Sequence, residues 1–328
     1  KVFRRYMAEK RKGCRIIILC VALYLSAIFL ICQLSSHVDP IGDYMKIAQP
    51  DILPSMIPID FKDITLKMRI TQLPSNFSRA FNMGSQSLLI FVQSRPSKKN
   101  VRDAIRSSWA NSLNSRAINN NTARVYFVVG NGNIIKELKS EMFTHNDIIV
   151  LDYEDNYKNL VYKTSFTLSL WNEFCSSSFI MKIDEDVIFH IDRFLINLSK
   201  FPINESAIYC NVNRKAKPIR DERNWKWYIS NYQYNKKVFP DYCSGAFYVL
   251  SKEAARKLYK GTSNFKIIYI EDLMFTGIIA ESMQIKHVNV LFWLHPNLKN
   301  KCTSELTAIH IAKSTELRNT WEYLKNCG

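Results

Sequence analysis

The chain has 328 residues, 47% of them hydrophobic, which is too long for a minimal module and enough to bury one large core or two small ones. Its formal net charge of +16 invites a nucleic-acid reading, but the first fifteen residues hold seven Lys or Arg against Glu9, a net +6 that leaves +10 on the remainder. A generally basic, soluble surface accounts for that remainder, and the segment that follows the basic tail argues against nucleic acid altogether.

Residues 1–15 read as a cytoplasmic tail and residues 16–33 as a signal anchor. Positions 16–32 hold seventeen residues without a charge, which reach roughly 25 Å as a helix, the lower limit for crossing a bilayer. Lys10, Arg11, Lys12 and Arg15 precede them, so the positive-inside bias keeps the N-terminus cytoplasmic and places everything after Gln33 in a lumen or outside the cell. A luminal domain meets no genome; its positive charge meets phosphate groups, anionic glycans or lipid heads. A cleavable signal peptide is the competing reading, but no small-residue cleavage pattern follows the apolar run. So short a span suits the thinner membranes of the early secretory pathway, and points to a single-pass type II protein of the endoplasmic reticulum or Golgi. The sequons at Asn76, Asn120, Asn197 and Asn204 all lie beyond the span, as candidate glycosylation sites. Of eight cysteines, Cys14, Cys20 and Cys32 sit in or beside the span, leaving Cys175, Cys210, Cys243, Cys302 and Cys327 in an oxidising compartment. Five is odd, so at least one is free or pairs between chains.

Residues 34–84 carry Pro40, Pro50, Pro54, Pro58 and Pro74 without sustained periodicity, which reads as a luminal stem in which no core is expected. The folded domain is expected over 85–328. Leu88-Leu-Ile-Phe-Val92 is a compact apolar run, and 101–109 has helical spacing, with Arg102, Arg106 and Trp109 at i, i+4 and i+7. The alternation continues with a strand at 125–129, a helix at 134–143, a strand at 148–151, a helix at 160–174 and a strand at 179–183. Continuous apolar strands separated by helices imply an α/β fold with a parallel sheet covered on both faces. In such sheets ligands bind beyond the carboxyl ends of the strands.

Asp184, Glu185 and Asp186 surface at such an end. Carboxylate oxygens suit a hard cation, and Mg²⁺ or Mn²⁺ held by one or two carboxylates keeps positions open for water and for the phosphates of a second ligand. The plainer alternative is an acidic turn that caps a helix at 191–200. From about Ala207, Trp225, Trp227, Tyr228, Tyr232, Tyr234, Phe239 and Tyr242 crowd one polar-rich stretch, suited to stacking on sugar rings or to packing a β-rich lobe. Glu271 and Asp272 precede a helical stretch at 273–280 that they can cap. His310 falls in a short apolar strand, where a satisfied core histidine is the alternative to a metal ligand.

In this order the segments carry seven recognisable boxes. Arg102-Asp-Ala-Ile-Arg-Ser-Ser-Trp109 is similar to R-x-A-I-R-x-T-W, and Tyr157-Lys-Asn-Leu-Val-Tyr-Lys-Thr164 to Y-x-N-L-T-x-K-T. Lys182-Ile-Asp-Glu-Asp-Val187 is similar to K-x-D-D-D-V, and Pro218-Ile-Arg-Asp221 with Lys226-Trp-Tyr228 to P-I-R-D and K-W-Y. Phe239-Pro-Asp-Tyr-Cys-Ser-Gly245, Ile270-Glu-Asp-Leu273 and Ile309-His310 with Trp321 resemble Y-P-P-Y-C-S-G, L-E-D-V and a closing V-H…W. Together they resemble the β-1,3-galactosyltransferase family of Golgi glycosyltransferases, from about Leu88 to Trp321.

The resemblance implies a GT-A fold, in which a Rossmann-like nucleotide-binding sheet is flanked by helices. It implies an inverting, metal-dependent hexosyltransferase that moves galactose from UDP-galactose to a glycoprotein or glycolipid acceptor in β-1,3 linkage. A UDP-N-acetylglucosamine-using enzyme and a catalytically silent glycan-binding relative are the alternatives. Asp186 would be the leading ligand to Mn²⁺ or Mg²⁺, with Asp184 toward the nucleotide ribose or a metal-bound water, and His310 closing the shell. Arg102, Arg106, Lys163, Lys182 and Glu185 would line the donor site, and Trp227 and Tyr242 the acceptor site. Asp272 would be the base that deprotonates the acceptor hydroxyl, with Glu271 the alternative. The chain departs from the family pattern at Glu185, Ala110 and Ala246-Phe247; the last, bulkier pair bears on acceptor choice.

Overall fold

The computed structural model describes residues 70–75, 77, 87–130, 136–175, 177–200, 205–224, 226–290, 293–294, 302–311 and 313–327, all within one compact unit, Asp51–Gly328. The tail and anchor expected over 1–33 and the sequons Asn76 and Asn204 lie outside them. Among the described residues no helix is long and apolar enough to cross a membrane.

The strands are β1 (Ile70–Gln72), β2 (Leu88–Gln93), β3 (Ala123–Gly130), β4 (Ile148–Leu151), β5 (Phe179–Asp184), β6 (Val187–Phe189), β7 (Ala207–Cys210), β8 (Val212–Asn213), β9 (Tyr242–Cys243), β10 (Phe247–Ser251), β11 (Lys286–Asn289), β12 (Trp293–Leu294) and β13 (Ala308–His310). Eight form one sheet in the order β1-β4-β3-β2-β5-β10-β7-β11. The expected strand–helix alternation up to residue 183 is present, and β4-β3-β2-β5 pair in parallel. The sheet is mixed, however, because β10 runs antiparallel to both β5 and β7, and β1 antiparallel to β4. Among the described residues no α-helix separates β7 from β10, and without one the returning strand is free to enter antiparallel.

Every residue of β2 is buried, as expected for a strand covered on both faces. Leu88, Ile90 and Val92 join one core with Trp109, Phe189 and Trp321, while Leu89 and Phe91 join the other with Leu168, Trp171 and Leu258. The domain begins earlier than the stem reading allows. Ile70–Gln72 adds an edge strand, and Phe77, 3% exposed, packs edge-on against Tyr126 with centroids 5.1 Å apart. A three-residue edge strand is too short to show periodicity in a proline-rich stretch. Cys210–Cys243 and Cys302–Cys327 are disulfides and Cys175 is free, which accounts for the odd count. Asn120 is exposed, but Asn197 is 7% exposed on the inner face of the helix Ile191–Leu198, with its Nδ2 enclosed. A glycan there would have no exit, so that sequon is corrected.

Arg102 and Arg106 also need correction as donor-site cations. Arg102 is 0% exposed. It donates to both oxygens of Glu141 at 2.7 and 2.6 Å, to Ser94 Oγ at 3.0 Å, and to the Arg95 and Pro96 carbonyls at 2.6 and 3.2 Å. All five of its N–H groups are committed inside the protein. Arg106 donates to Asp147, Asp103 and Glu141. The two arginines that the resemblance assigns to the donor site instead form an ion-pair network, buried at Arg102 and Glu141, that holds the 94–96 loop beside β2. Removing one partner of such a network strands the other charge, so Arg102→Ala is expected to lower stability by about 3–5 kcal/mol, measured by denaturant unfolding against wild type.

Candidate active site

β5 delivers Lys182 and Asp184 to the carboxyl end of the sheet, and the turn after it carries Glu185 and Asp186 into β6. β13 pairs antiparallel with β6, with His310 opposite Val187. That register sets His310 Nε2 3.3 Å from Asp186 Oδ2. Donating to Asp186 raises the pKa of His310, while against the effect of burial the bond from His310 holds Asp186 below the ordinary carboxylate value. Asp186 Oδ1 is enclosed with no hydrogen-bond partner.

Lys182 ties this end to a segment far along the chain. Its Nζ lies 2.6 Å from Asp184 Oδ1 and 3.5 Å from Glu271 Oε2, and donates to the Gly245 carbonyl. Glu271 Oε1 accepts from Thr164 Oγ1 at 2.7 Å and from the Tyr248 hydroxyl. Next to Glu271, Asp272 Oδ1 accepts from the Leu273 amide at 2.9 Å, so the expected capping role is real. Its other oxygen, Oδ2, faces Gly245 so closely that a Cβ there would meet it at 2.9 Å.

Burial is the largest force on these groups. It pushes Asp272 up to about 7, helped by Glu271 and opposed by Lys182. It pushes Asp184 up to about 6 against the pull of Lys182. Lys182 goes the other way: burial alone would lower it, but Asp184 and Glu271 raise it.

The predicted site residues therefore divide. Asp184, Glu271 and Asp272 gather around Lys182, and Asp186 with His310 lies within electrostatic reach of them. Lys163 does not face this cluster freely: it is buried, donates to the Ser94 carbonyl at 2.6 Å and to Asp155 at 2.8 Å, and its pKa is lowered by burial. Glu185 accepts from Ser94 Oγ at 2.7 Å and faces Arg95, which fastens the turn to the 94–96 loop. Trp227 is 49% exposed, and half-buried Tyr242 lies in the field of Asp272. Sequence reasoning missed Thr164, Gly245 and Tyr248 as supports. The first two stand inside boxes already noted, while Tyr248 is one apolar-strand tyrosine among many.

Among the described residues no group of three or more His, Cys, Asp or Glu side chains is arranged to hold a metal ion. Asp186 and His310 do fit a divalent cation as a two-residue set, because Asp186 Oδ1 has an unused lone pair in an enclosed position. Mg²⁺ and Mn²⁺ sites commonly take the rest of their shell from water and substrate phosphates.

Asp272, Asp184, Asp186 and His310, gathered beyond the carboxyl end of β5, form a candidate group-transfer site. Residues 100–291 match the family model described as Galactosyltransferase. The chain is 31% identical over 231 residues to lactosylceramide 1,3-N-acetyl-beta-D-glucosaminyltransferase A of Xenopus laevis, covering 65% of this chain and 61% of that protein. It is 31% identical over 267 residues to beta-1,3-galactosyltransferase bre-2 of Caenorhabditis elegans, covering 78% and 73%. The chain thus spans about three fifths of the first relative's length. Among solved structures, a glycosyltransferase involved in glycosylation of the PBCV-1 major capsid aligns over 72% of this chain and 98% of its own, at TM-score 0.40 and 8% identity. The chain belongs to the galactosyltransferase family of glycosyltransferases.

Gly245→Ala tests the approach of Gly245 to Asp272. The added methyl must displace the Asp272 carboxylate, and a misplacement of about 1 Å costs on the order of 100-fold in rate. The expected result is a wild-type circular dichroism spectrum with sugar-transfer activity reduced by roughly that factor.

Proposed function

We propose that the chain is an inverting, metal-dependent glycosyltransferase that moves galactose from UDP-galactose to a glycan acceptor in β-1,3 linkage. The observation that carries this reading is the Lys182 ammonium, in contact with both Asp184 and Glu271, so that the acidic turn and Asp272 serve one substrate. In this reading the acceptor hydroxyl approaches Asp272 Oδ2. Its oxygen attacks the anomeric carbon, its proton passes to Oδ2, and the bond from that carbon to the diphosphate oxygen breaks with UDP as the leaving group. A single displacement converts an α-linked donor to a β product. Asp186 and His310 would hold Mn²⁺ or Mg²⁺, which when bound supplies positive charge to the departing diphosphate. Asp184 is the candidate contact to the nucleotide ribose, and Trp227 and Tyr242 are candidate acceptor contacts.

UDP-N-acetylglucosamine is the second donor reading, favoured by relatives named as lactosylceramide 1,3-N-acetylglucosaminyltransferases. Those names also support a glycolipid acceptor beside a glycoprotein one. The basic tail and uncharged run at 16–32 support a Golgi type II anchor with the domain luminal, and Asn76, Asn120 and Asn204 as candidate glycosylation sites.

A donor screen of the protein across UDP-sugars, with Mn²⁺ and with chelator, is expected to give transfer from UDP-galactose or UDP-N-acetylglucosamine that chelation abolishes and Mn²⁺ restores. Transfer undiminished by chelation would remove the metal from the reading.

Only an ionised carboxylate can accept the acceptor's proton. Turnover is therefore expected to rise as pH passes through about 7 and to level off above it, following Asp272. Asp272→Asn should cut turnover by roughly 10²–10⁴-fold while UDP affinity stays near wild type by calorimetry. An Asn variant that keeps full turnover would reject Asp272 as the base.

A further inference from the structure

Of the cations in and around this cluster, those named so far are already neutralised. Lys182 lies between Asp184 and Glu271, Lys163 on Asp155, Arg102 and Arg106 on Glu141 and Asp147, and Arg95 faces Glu185. Lys226 differs. It is exposed, and among the described residues no carboxylate forms an ion pair with it. Its Nζ lies 4.7 Å from the ring centroid of Tyr157 and 5.2 Å from that of Trp227. Tyr157 sits in the field of Asp272, Lys182, Asp184 and Glu271. On the other side, the charge of Lys226 acts on His310, the partner of Asp186. Among the described residues the Lys226 ammonium thus has no carboxylate partner, lies over two aromatic rings and is within electrostatic reach of His310.

We propose that Lys226 is a donor-binding residue that pairs with the diphosphate of a nucleoside-diphosphate sugar, leaving the Tyr157 and Trp227 rings to do so. The inference rests on the nucleotide-sugar reading of this site. A cation over an exposed ring is held less strongly than the same cation in a charge-assisted hydrogen bond to phosphate, so the diphosphate wins the competition. A lysine suits the exchange because its compact charge rides on a flexible stem. The move also uncovers one face of Trp227, which is already half exposed, so that a sugar ring can stack there once the donor has bound.

The test is calorimetric titration of the full chain in Mn²⁺ buffer with UDP and with uridine, for wild type, Lys226→Ala and Lys226→Arg. Lys226→Ala is expected to weaken UDP by about tenfold or more, the scale of one lost charge-assisted hydrogen bond. It should leave uridine unchanged, and Lys226→Arg should restore most of the UDP affinity. UDP should also change tryptophan fluorescence in wild type, and this change should vanish in Trp227→Phe and shrink in Lys226→Ala. UDP affinity in Lys226→Ala equal to wild type would overturn the assignment while leaving the nucleotide-sugar reading intact. A wild-type protein that does not bind UDP at all would overturn both.

Discussion

The site depends on one buried ammonium. Lys182 stands among Asp184, Glu271 and Asp272, three carboxylates that would repel one another if no cation lay between them. It is too deep for water to screen the repulsion, and its charge favours the ionised forms of Asp184 and Asp272. The lysine does not cancel the acidity completely. Asp184 and Asp272 remain at about 6 and about 7, high enough for a proton to come and go near neutral pH. Burial raises both acids, and the single Lys182 charge offsets only part of that rise.

Around this centre the protein separates charges that hold from charges that remain available. Glu141 with Arg102 and Arg106, and Asp155 with Lys163, are closed pairs whose role is to fix backbone. Through Ser94, the Arg102 network and Lys163 meet on one loop residue, and the same serine donates to Glu185. Glutamate at the middle of the acidic turn has one more methylene than aspartate, which is the reach used to take that hydroxyl. The departure at Glu185 therefore reads as an anchoring of the turn to the 94–96 loop, while Asp186 keeps one enclosed oxygen without a partner among the described residues.

Local pattern made the first half of the domain legible. β2 to β5 and the longer helices between them are apolar and regularly spaced, and they stand within about two residues of where periodicity puts them, whereas the short helix Arg116–Asn119 was not foreseen. Asp184, Asp186, Asp272 and His310 were legible because each sits at the end of such an element or inside a recognisable box. Arg102, Arg106 and Lys163 were misjudged for a reason that sequence cannot reveal. Their counter-ions, Glu141, Asp147 and Asp155, arrive from other elements, and a cation's availability depends on what tertiary packing brings to it. The antiparallel entry of β10 and the edge strand at Ile70–Gln72 were missed because their order is set by long-range pairing and leaves little local trace.

The mounting of Asp272 shows how far such long-range pairing reaches. The helix that follows it is π-wound over Leu273–Ile279, a form frequent at functional sites and costly without outside partners. Those partners are present. Thr276 Oγ1 donates to the Asp272 carbonyl and accepts from the Cys243 amide at 2.9 Å, while the Thr276 carbonyl meets His287 Nε2. Cys243 is bonded to Cys210 at the end of β7, and His287 lies on β11, which pairs with β7 in parallel. Both ties lead back to the same strand of the main sheet. Asp272 is thus fixed to the sheet twice through Thr276, and Lys182 on β5 fixes its neighbour Glu271 once more. An acid placed on an unusual helix turn is positioned by the sheet rather than by the helix itself, and its register against Gly245 follows from strand pairing.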